Sequence, residues 1–456
     1  AVNQTMGGGT WIYLGNFKFT AHEQAHERIV LTNQSNKSGK IITADAIKIG
    51  GGMGNIARSP LESPYPIEAE TSGYPRFTEA ARYWLQWAGI PDSIYSKSAF
   101  RNDYQDDIYA RPQWVNYLKE QTHIPIDMAF AFHSDAGTTP DDSIIGTLGI
   151  CMSKSNDGIY TNRKSREIAR DLTDMIQTQI LSDVRTVYNP QWSRRGMWNQ
   201  SYIEARIPDV PTMLLELLSH QNFADMRYGL DPRFHFLICR AIYKGMLRYI
   251  CFQNKQEPIV QPLPPDRLYT ELVETNKVRI GWKAVQDTLE ESASPTAYIL
   301  YSRKGSGGFD NGTLVKGEEI ILPIEAGIIH SYKDKTVLIV NGFDRISGPA
   351  SFESAADSLA GFLYAVDRGV PYLNDIAFIG DQFEFRRSAT WNSNDNNGHG
   401  DSYNNYAGQV IAGNTFDYPF IHGQAMAETG YSFVSCSHKS LAEGVVKPDT
   451  YPIIDL

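Results

Sequence analysis

The segment between Pro66 and Cys251 alternates short apolar runs with longer amphipathic stretches, and this alternation restricts the fold more than any other feature of the chain. The apolar runs PIDMAFAF and PTMLLELL have the length of buried strands. The stretches FTEAARYWLQWAG, REIARDLTDMIQTQIL and RFHFLICRAIYKGMLRYI have apolar residues at helical spacing, and the first of them ends at Gly89. Strands that alternate with helices pack as an α/β sheet, so we predict this fold for residues 58–255.

The segments that flank this region have the composition of β-structure. Before it, GTWIYLGNFKF, ERIVLTN and IITADAIKIG are rich in β-branched and aromatic residues, which predicts a β-module over residues 1–57. After the proline-bearing linker QEPIVQPLPPDRL, regularly spaced strand-like runs predict a small sandwich over residues 263–333. These runs are KVRIGWKAV, TAYILYSRKG and EEIILPIE.

Residues 334–456 again combine strand and helix patterns. KTVLIVNGFDR and GYSFVSCS have the pattern of buried strands, and SFESAADSLAGFLYAV has that of a helix. We therefore predict a terminal α/β domain. The fold class expected for the whole chain is multidomain α/β plus all-β.

Charge and composition exclude several classes of function. The formal net charge is −10 and no cluster of Lys or Arg offsets it, so no binding to nucleic acid is expected. The 42% hydrophobic content is that of a globular protein with substantial cores, yet no run approaches the ~18 apolar residues of a membrane span. The residues after Ala1 do not resemble a signal peptide, so we expect a mature or trimmed product. We expect buried free thiols at Cys151, Cys239, Cys251 and Cys436.

His133 and Glu216 follow or end the two apolar runs, where ligands gather in open α/β sheets. A hydrolytic zinc site takes three protein ligands from His and carboxylates, and a further carboxylate acts as base. A single His or Glu at a strand end is more often structural than catalytic. It is the order of several such residues along the chain that favours a site.

From Tyr74 to about Cys251 the chain resembles the zinc-dependent N-acetylmuramoyl-L-alanine amidases of the amidase-3 type. That family has a Glu that opens a helix, a strand that ends in SiHaNA, and later the motif PavLvE.gFlsN. The corresponding stretches here are TEAARYWLQWAG with Glu79, DMAFAFHSDAG with His133, and VPTMLLELLSHQNFAD with Glu216 and Asn222. RPQWVNYL resembles the Arg and Asn helix of the family through Arg111 and Asn116.

This resemblance implies a role for each of these residues. Glu79 and His133 would bind zinc, and Glu216 would take a proton from the attacking water and deliver it to the leaving amine. Asp135, Asn222 and Arg111 would contact substrate. The implied reaction is hydrolysis of the amide between muramic acid and L-alanine in peptidoglycan.

Two departures from the family pattern affect this expectation. The family's first zinc histidine, in a GHGG loop, has no match directly upstream of Glu79, where the β-rich segment stands instead. We interpret that segment as a module inserted between the histidine and Glu79, with the histidine outside this chain. The second departure is Asp135, which stands where the family has an amide.

The flanking segments resemble multidomain proteins of Bacteroidetes-type bacteria that are often labelled xanthan lyase or amidase. In these proteins a golvesin-like module interrupts the amidase, and a fibronectin type III module and a terminal α/β domain follow. The resemblance implies a location in the periplasm, on the outer-membrane surface or outside the cell, a peptidoglycan or other cell-surface glycan as partner, and membership of an envelope complex. The alternatives are a glycan- or peptide-binding surface protein on an amidase scaffold, and a polysaccharide lyase. The sandwich and the terminal domain both look truncated.

Three further signals are interpreted as structural. HEQAH, from His22 to His26, matches the zincin motif but lies in a short connection between strand-like runs. NNGHGDS around His399 has the composition of a surface loop. SCS at Ser435 to Ser437, with His422 and Asp344, lacks the GxSxG pattern of a nucleophile elbow.

Overall fold

The structure is a computed structural model that describes most of the chain from residue 80 onward and a few residues before it. The described ranges are 17, 27–34, 39, 41–44, 47, 80–99, 101–137, 139, 143–274, 276–302, 309–324, 336–342, 350–354, 356, 359–363, 376–378, 384–386, 410–412 and 418–456. Glu79, His22 to His26, Asp344 and His399 lie outside them. The fold of the described residues is mixed α/β with several sheets.

The central sheet has four strands in the order β1-β4-β2-β3. These are β1 (Ala129–Asp135), β2 (Thr147–Cys151), β3 (Arg194–Asn199) and β4 (Thr212–Ser219). β1 runs parallel to β4 and β3 runs parallel to β2, whereas β2 and β4 are antiparallel. The helices of this region are α1 (Ala81–Trp87), α2 (Asp92–Tyr95), α3 (Asp103–Glu120), α4 (Ile168–Val187), α5 (Ile203–Arg206), α6 (Phe223–Gly229) and α7 (Pro232–Asn254). The strands and helices predicted from the alternating pattern are therefore confirmed where the structure describes them.

The core of this region lies between β4 and the helices α4 and α7. Every residue of β4 except Glu216 is buried, which explains the continuous apolar run in the sequence. Gly245 on α7 lets the two helices approach closely, since a Cβ there would lie 2.6 Å from the Cα of Ile176 on α4. A buried ion pair joins the same helices, with Nζ of Lys244 2.8 Å from Oδ2 of Asp183.

Local sequence signals fix the ends of α7. The side chain of Asp231 accepts a hydrogen bond from the backbone N–H of Arg233 at 2.9 Å, and Pro232 occupies the first turn, where its missing N–H costs nothing. At the other end Lys255 adopts a left-handed conformation with φ of 55°, which ends the helix. No helix in the described part of the chain has the length and apolar character needed to cross a membrane.

The second large sheet joins strands that the sequence assigned to two different modules. Its order is β17-β10-β16-β5-β6-β9. The strands of this part of the chain are β5 (Asp266–Glu274), β6 (Lys277–Lys283), β7 (Tyr298–Leu300), β8 (Thr313–Val315), β9 (Glu319–Pro323), β10 (Thr336–Asn341), β11 (Ala350–Ser354), β12 (Leu359–Leu363), β13 (Ile376–Phe378), β14 (Glu384–Arg386), β15 (Val410–Ala412), β16 (Ser432–Ser437) and β17 (Ile453–Asp455). Two helices, α8 (Tyr418–Glu428) and α9 (His438–Ala442), complete it.

The fibronectin-like module is not shown as a separate all-β unit. β5, β6 and β9, from the predicted sandwich, continue into the parallel strands β10, β16 and β17 of the predicted terminal domain. The junction is an antiparallel pairing in which Cys436 of β16 lies opposite Tyr269 of β5. The boundaries 263–333 and 334–456 stay predictions.

Three structural expectations from the sequence are wrong or not confirmed. SFESAADSLAGFLYAV contains β11 and β12, an antiparallel pair with Ala350 opposite Leu363, instead of a helix. Its alanines favour a helix, but its Ser, Asp and Gly residues do not and its Phe, Tyr and Val residues favour a strand, so pairing with a neighbouring strand overrides the helical preference. Residues 27–34 and 41–44 are not part of a strand. Cys151, Cys251 and Cys436 are buried free thiols as expected, but Cys239 is exposed because it lies on the outer face of α7.

Candidate active site

A cleft of about 610 Å³ opens beside β1 and β4, and it contains the two residues that the sequence placed at the ends of these strands. His133 and Glu216 lie directly opposite each other in the parallel ladder, so their side chains leave the sheet on the same face. Arg111 of α3 and Glu204 of α5 complete the charged part of the cleft. The remaining lining residues are Tyr104, Ile108, Gln200, Ser201, Tyr202, Ile203 and Leu214.

Glu216 interrupts an otherwise apolar strand, and its carboxyl group has an unusually high pKa. Its Oε2 is buried and has no hydrogen-bond partner among the described residues. Burial raises the pKa of Glu216 to about 7, and the negative charges of Asp135 and Glu204 add to this effect. The positive charges of His133 and Arg195 oppose it. A carboxyl group with a pKa near neutrality can both accept and return a proton, as a general base must.

His133 is held by a carboxylate that the sequence analysis did not identify. Its Nε2 lies 2.8 Å from Oε2 of Glu204, and this hydrogen bond raises the pKa of His133. Burial alone would raise the pKa of Glu204, but the hydrogen bonds and charges of His133 and Arg111 outweigh burial and lower it. His133 and Glu204 therefore form a hydrogen-bonded pair in the cleft.

Arg111 reaches the cleft from the middle of α3. The helix begins after Asn102, whose side chain accepts a hydrogen bond from the backbone N–H of Gln105 at 2.9 Å. The guanidinium of Arg111 pairs with Asp107 one turn earlier, and its Nη1 lies 3.3 Å from Oε1 of Glu204. Both oxygens of Glu204 are thus engaged, one by His133 and one by Arg111.

The short helix α5, which carries Glu204, is held from behind by Arg166. This arginine is fully buried, and its Nη2 donates hydrogen bonds to the carbonyl oxygens of Arg206 at 2.8 Å and Ala205 at 3.4 Å. Its Nε donates to the carbonyl oxygen of Met152 at 3.2 Å. Positive charge at the carboxyl end of a helix is favourable, so Arg166 fixes the position of α5 against the sheet.

The other predicted substrate contacts lie outside the lining of the cleft. Asp135 is bound by Nη1 of Arg195 at 2.5 Å and by the backbone N–H of Ala136 at 2.8 Å. Asn222 is 1% exposed, and its amide nitrogen donates to the carbonyl oxygen of Ser143 at 2.9 Å. The side-chain oxygen of Asn116 accepts a hydrogen bond from the backbone N–H of Asp209. These side chains support neighbouring loops, and the substrate-binding roles of Asp135 and Asn222 stay predictions.

The described residues do not by themselves form the zinc site that the resemblance implies. No group of three or more His, Cys, Asp and Glu side chains within the described ranges could hold a metal ion. The nitrogen of His133 that faces the cleft is occupied by Glu204, and Glu79 lies outside the described residues. A hydrolytic zinc centre needs three protein ligands, so this donor set does not fit the ion.

Glu204 could hardly have been found from the sequence. It stands in the stretch QSYIEARIPD between two strands, where an acidic residue in the first turn of a helix is ordinary. Its role follows only from the position of α5 above β1 and β4, which brings its side chain to His133.

The signal around SCS is a set of structural contacts in the second sheet. Ser437 caps α9 by accepting a hydrogen bond from the backbone N–H of Ser440, and burial raises the pKa of Cys436 to about 11. His422 pairs with Asp455, with Nδ1 2.7 Å from Oδ2. Cys436 is buried as expected, but a short helix, not a turn, follows Ser437 directly.

Comparison with known proteins gives one family match and several partial structural likenesses. Residues 1–51 match the model of the Golvesin C-terminal domain, in agreement with the predicted golvesin-like module. No curated protein matches the chain.

Three solved structures that are similar to part of this chain carry the name amidase. The N-acetylmuramoyl-L-alanine amidase from Clostridium difficile 630 is 18% identical over 35% of this chain and 78% of its own, with a TM-score of 0.25. The CwlD amidase from Clostridioides difficile, in complex with the GerS lipoprotein, is 14% identical over 39% and 83%, with a TM-score of 0.27. The amidase Ami1 from Mycobacterium smegmatis is 15% identical over 39% and 74%, with a TM-score of 0.26.

Proposed function

We propose that the chain is a hydrolase that cleaves the amide bond between N-acetylmuramic acid and L-alanine in peptidoglycan. The observation that carries this proposal is the buried, unpartnered Oε2 of Glu216 in the same cleft as His133. The pKa of about 7 suits Glu216 to proton transfer at neutral pH. The order of the motifs along the chain, from Glu79 through His133 to Glu216, supports the same reaction class.

In this proposal Glu216 carries one proton through the reaction. As the oxygen of water forms a bond to the amide carbon, Glu216 takes the proton that the water loses. As the carbon–nitrogen bond breaks, Glu216 gives this proton to the leaving amine of L-alanine. In the amidases that the chain resembles, a bound zinc ion would polarise the carbonyl group and lower the pKa of water. Both proton transfers are assigned to Glu216 alone, because the described residues do not form a complete metal site.

A second candidate is a non-catalytic surface protein that binds glycan or peptide on an amidase scaffold. The pairing of His133 with Glu204 favours it, because a nitrogen that is bonded to a carboxylate is not free to bind a metal ion. In either case we propose a location at the cell envelope, which is the periplasm, the outer-membrane surface or the exterior. We also propose peptidoglycan or another cell-surface glycan as the partner, within an envelope complex.

The two candidates are separated by release of peptide from purified peptidoglycan. We expect release by the full chain, its loss in the Glu216→Gln variant, and no change in Glu257→Gln, which alters an exposed glutamate in the linker after α7. Each protein is assayed with zinc added and again with a chelator, so that a dependence on metal appears as a difference between the two. Equal release by the wild type and Glu216→Gln would remove Glu216 from the mechanism, and absence of release by both would favour the binding protein.

A further inference from the structure

Two tyrosines on the rim of the cleft are far more exposed than aromatic side chains in a folded core. Tyr104 is 68% exposed and Tyr202 is 43% exposed, and both line the cleft that contains Glu216. They come from different elements, since Tyr104 lies in the first turn of α3 and Tyr202 is the residue just before α5. Packing among the described residues therefore does not account for the exposed ring surface at this place.

Local hydrogen bonds hold the backbone at both tyrosines in place before any ligand binds. The side chain of Asn102 caps α3 beside Tyr104. The backbone N–H of Tyr202 donates to the carbonyl oxygen of Gln200 at 2.9 Å, and Arg166 holds the end of α5 that follows. An aromatic ring on a rigid backbone loses little conformational freedom when it binds a ligand, so its contact surface contributes directly to affinity.

The neighbouring side chains indicate the kind of ligand that fits this rim. Gln200 and Ser201 add an amide and a hydroxyl group to the lining of the same cleft. A pyranose ring has an apolar face of C–H groups, which can stack on an aromatic ring, and a rim of hydroxyl groups that need hydrogen-bond partners. Aromatic and polar surfaces side by side match both parts of such a ring.

The charges in the cleft favour a saccharide over the acidic peptide of peptidoglycan. Glu204 and Glu216 both line the cleft, and the guanidinium of Arg111 is already paired with Asp107 and Glu204. A peptide that carries carboxylates would meet these groups without a free cation to receive it among the described residues that line the cleft. An uncharged sugar ring meets no such repulsion.

We propose that Tyr104 and Tyr202 stack on sugar rings of the glycan strand and so hold the saccharide part of the substrate beside Glu216. This inference rests on the proposed function, because it assigns the substrate contacts of the same cleft. It makes both tyrosines specificity-determining residues. The peptide part of the substrate then extends away from the tyrosine rim.

The test is a binding titration with the full chain carrying Glu216→Gln, which separates binding from turnover. The probes are the disaccharide of N-acetylglucosamine and N-acetylmuramic acid without peptide, with its lactyl carboxyl group converted to the simple amide so that it carries no charge, and the free stem peptide without sugar. We expect the disaccharide to bind, and Tyr104→Ala and Tyr202→Ala each to raise its dissociation constant about three- to tenfold through loss of stacking. Tyr104→Phe and Tyr202→Phe keep the ring and should bind nearly as tightly. Tyr301→Ala, which removes an exposed tyrosine after β7, is the matched control and should have no effect.

Several outcomes would overturn the proposal. One is a disaccharide that fails to bind, and another is an affinity that the two alanine substitutions leave unchanged. Binding of the stem peptide alone, weakened by the same substitutions, would assign the rim to peptide. None of these results bears on whether Glu216 moves a proton, since peptide release from peptidoglycan by the wild type and Glu216→Gln measures that separately.

Discussion

Nε2 of His133 and Oε2 of Glu204 lie 2.8 Å apart, although the two residues come from β1 and from the helix α5 far along the chain. The contact joins the residue that motif resemblance assigns to a metal ion with a carboxylate that the motifs do not include. It places a hydrogen-bonded pair of side chains in the cleft that also contains the buried carboxyl group of Glu216. Four measurements follow from this arrangement and from the packing that supports it.

The rate of peptide release should depend on the ionisation of Glu216. A base must be deprotonated, so the rate should rise about tenfold per pH unit below the pKa of about 7 and level off above it. Initial rates measured between about pH 5 and pH 9 give this profile. A rate that stays constant across this range would show that Glu216 is not the titrating base.

The same pKa has a consequence for stability. The ordinary pKa of a Glu is 4.5 and that of Glu216 is about 7, so between these values the folded state binds more protons than the unfolded state. Stability therefore falls as pH rises through this window, because ionised Glu216 is buried. We expect the thermal midpoint of Glu216→Gln to exceed that of the wild type at about pH 8 and to equal it at about pH 4.

Replacement of Arg166 by Met should destabilise the fold. The carbonyl oxygens of Met152 and Arg206 would lose their hydrogen bonds in a buried place, at a cost of about 2 kcal/mol in the free energy of unfolding. Urea unfolding measures this difference. Arg170→Met, on the exposed side of α4, is the matched control and should cost about 0.5 kcal/mol or less. Equal stability of the two variants would show that Arg166 does not anchor α5.

The ion pair between α4 and α7 should respond differently to single and double replacement. Lys244→Met leaves the carboxylate of Asp183 buried without its cation, which should cost about 3 to 5 kcal/mol. The double variant Asp183→Asn with Lys244→Met removes both charges and should recover most of that loss. Thermal and urea unfolding of the wild type, single and double variants measure the coupling. If the double variant is as unstable as Lys244→Met, the unpaired charge is not the cause.

The elements with a strong pattern could be predicted from the sequence. The apolar run of β4 and the helical spacing of α4 and α7 each depend on burial along one element, which local sequence records directly. The helix predicted over β11 and β12 is wrong because Ser, Gly and Phe there offset the helical preference of Ala, and pairing between strands decides the conformation. The six-stranded sheet does not follow from the sequence because its junction, Cys436 opposite Tyr269, joins residues that are distant in sequence.

The meeting of His133 and Glu216 could be predicted from the pattern of the chain, since neighbouring strands of an α/β sheet that run parallel bring their carboxyl ends to one edge. The surroundings of these two residues depend on tertiary packing instead. α5 has no pattern that predicts its place, yet its packing against Arg166 carries Glu204 to His133 and Tyr202 to the rim. The state of a titratable side chain depends on such neighbours and on its exclusion from water, and both exist only once the chain has folded.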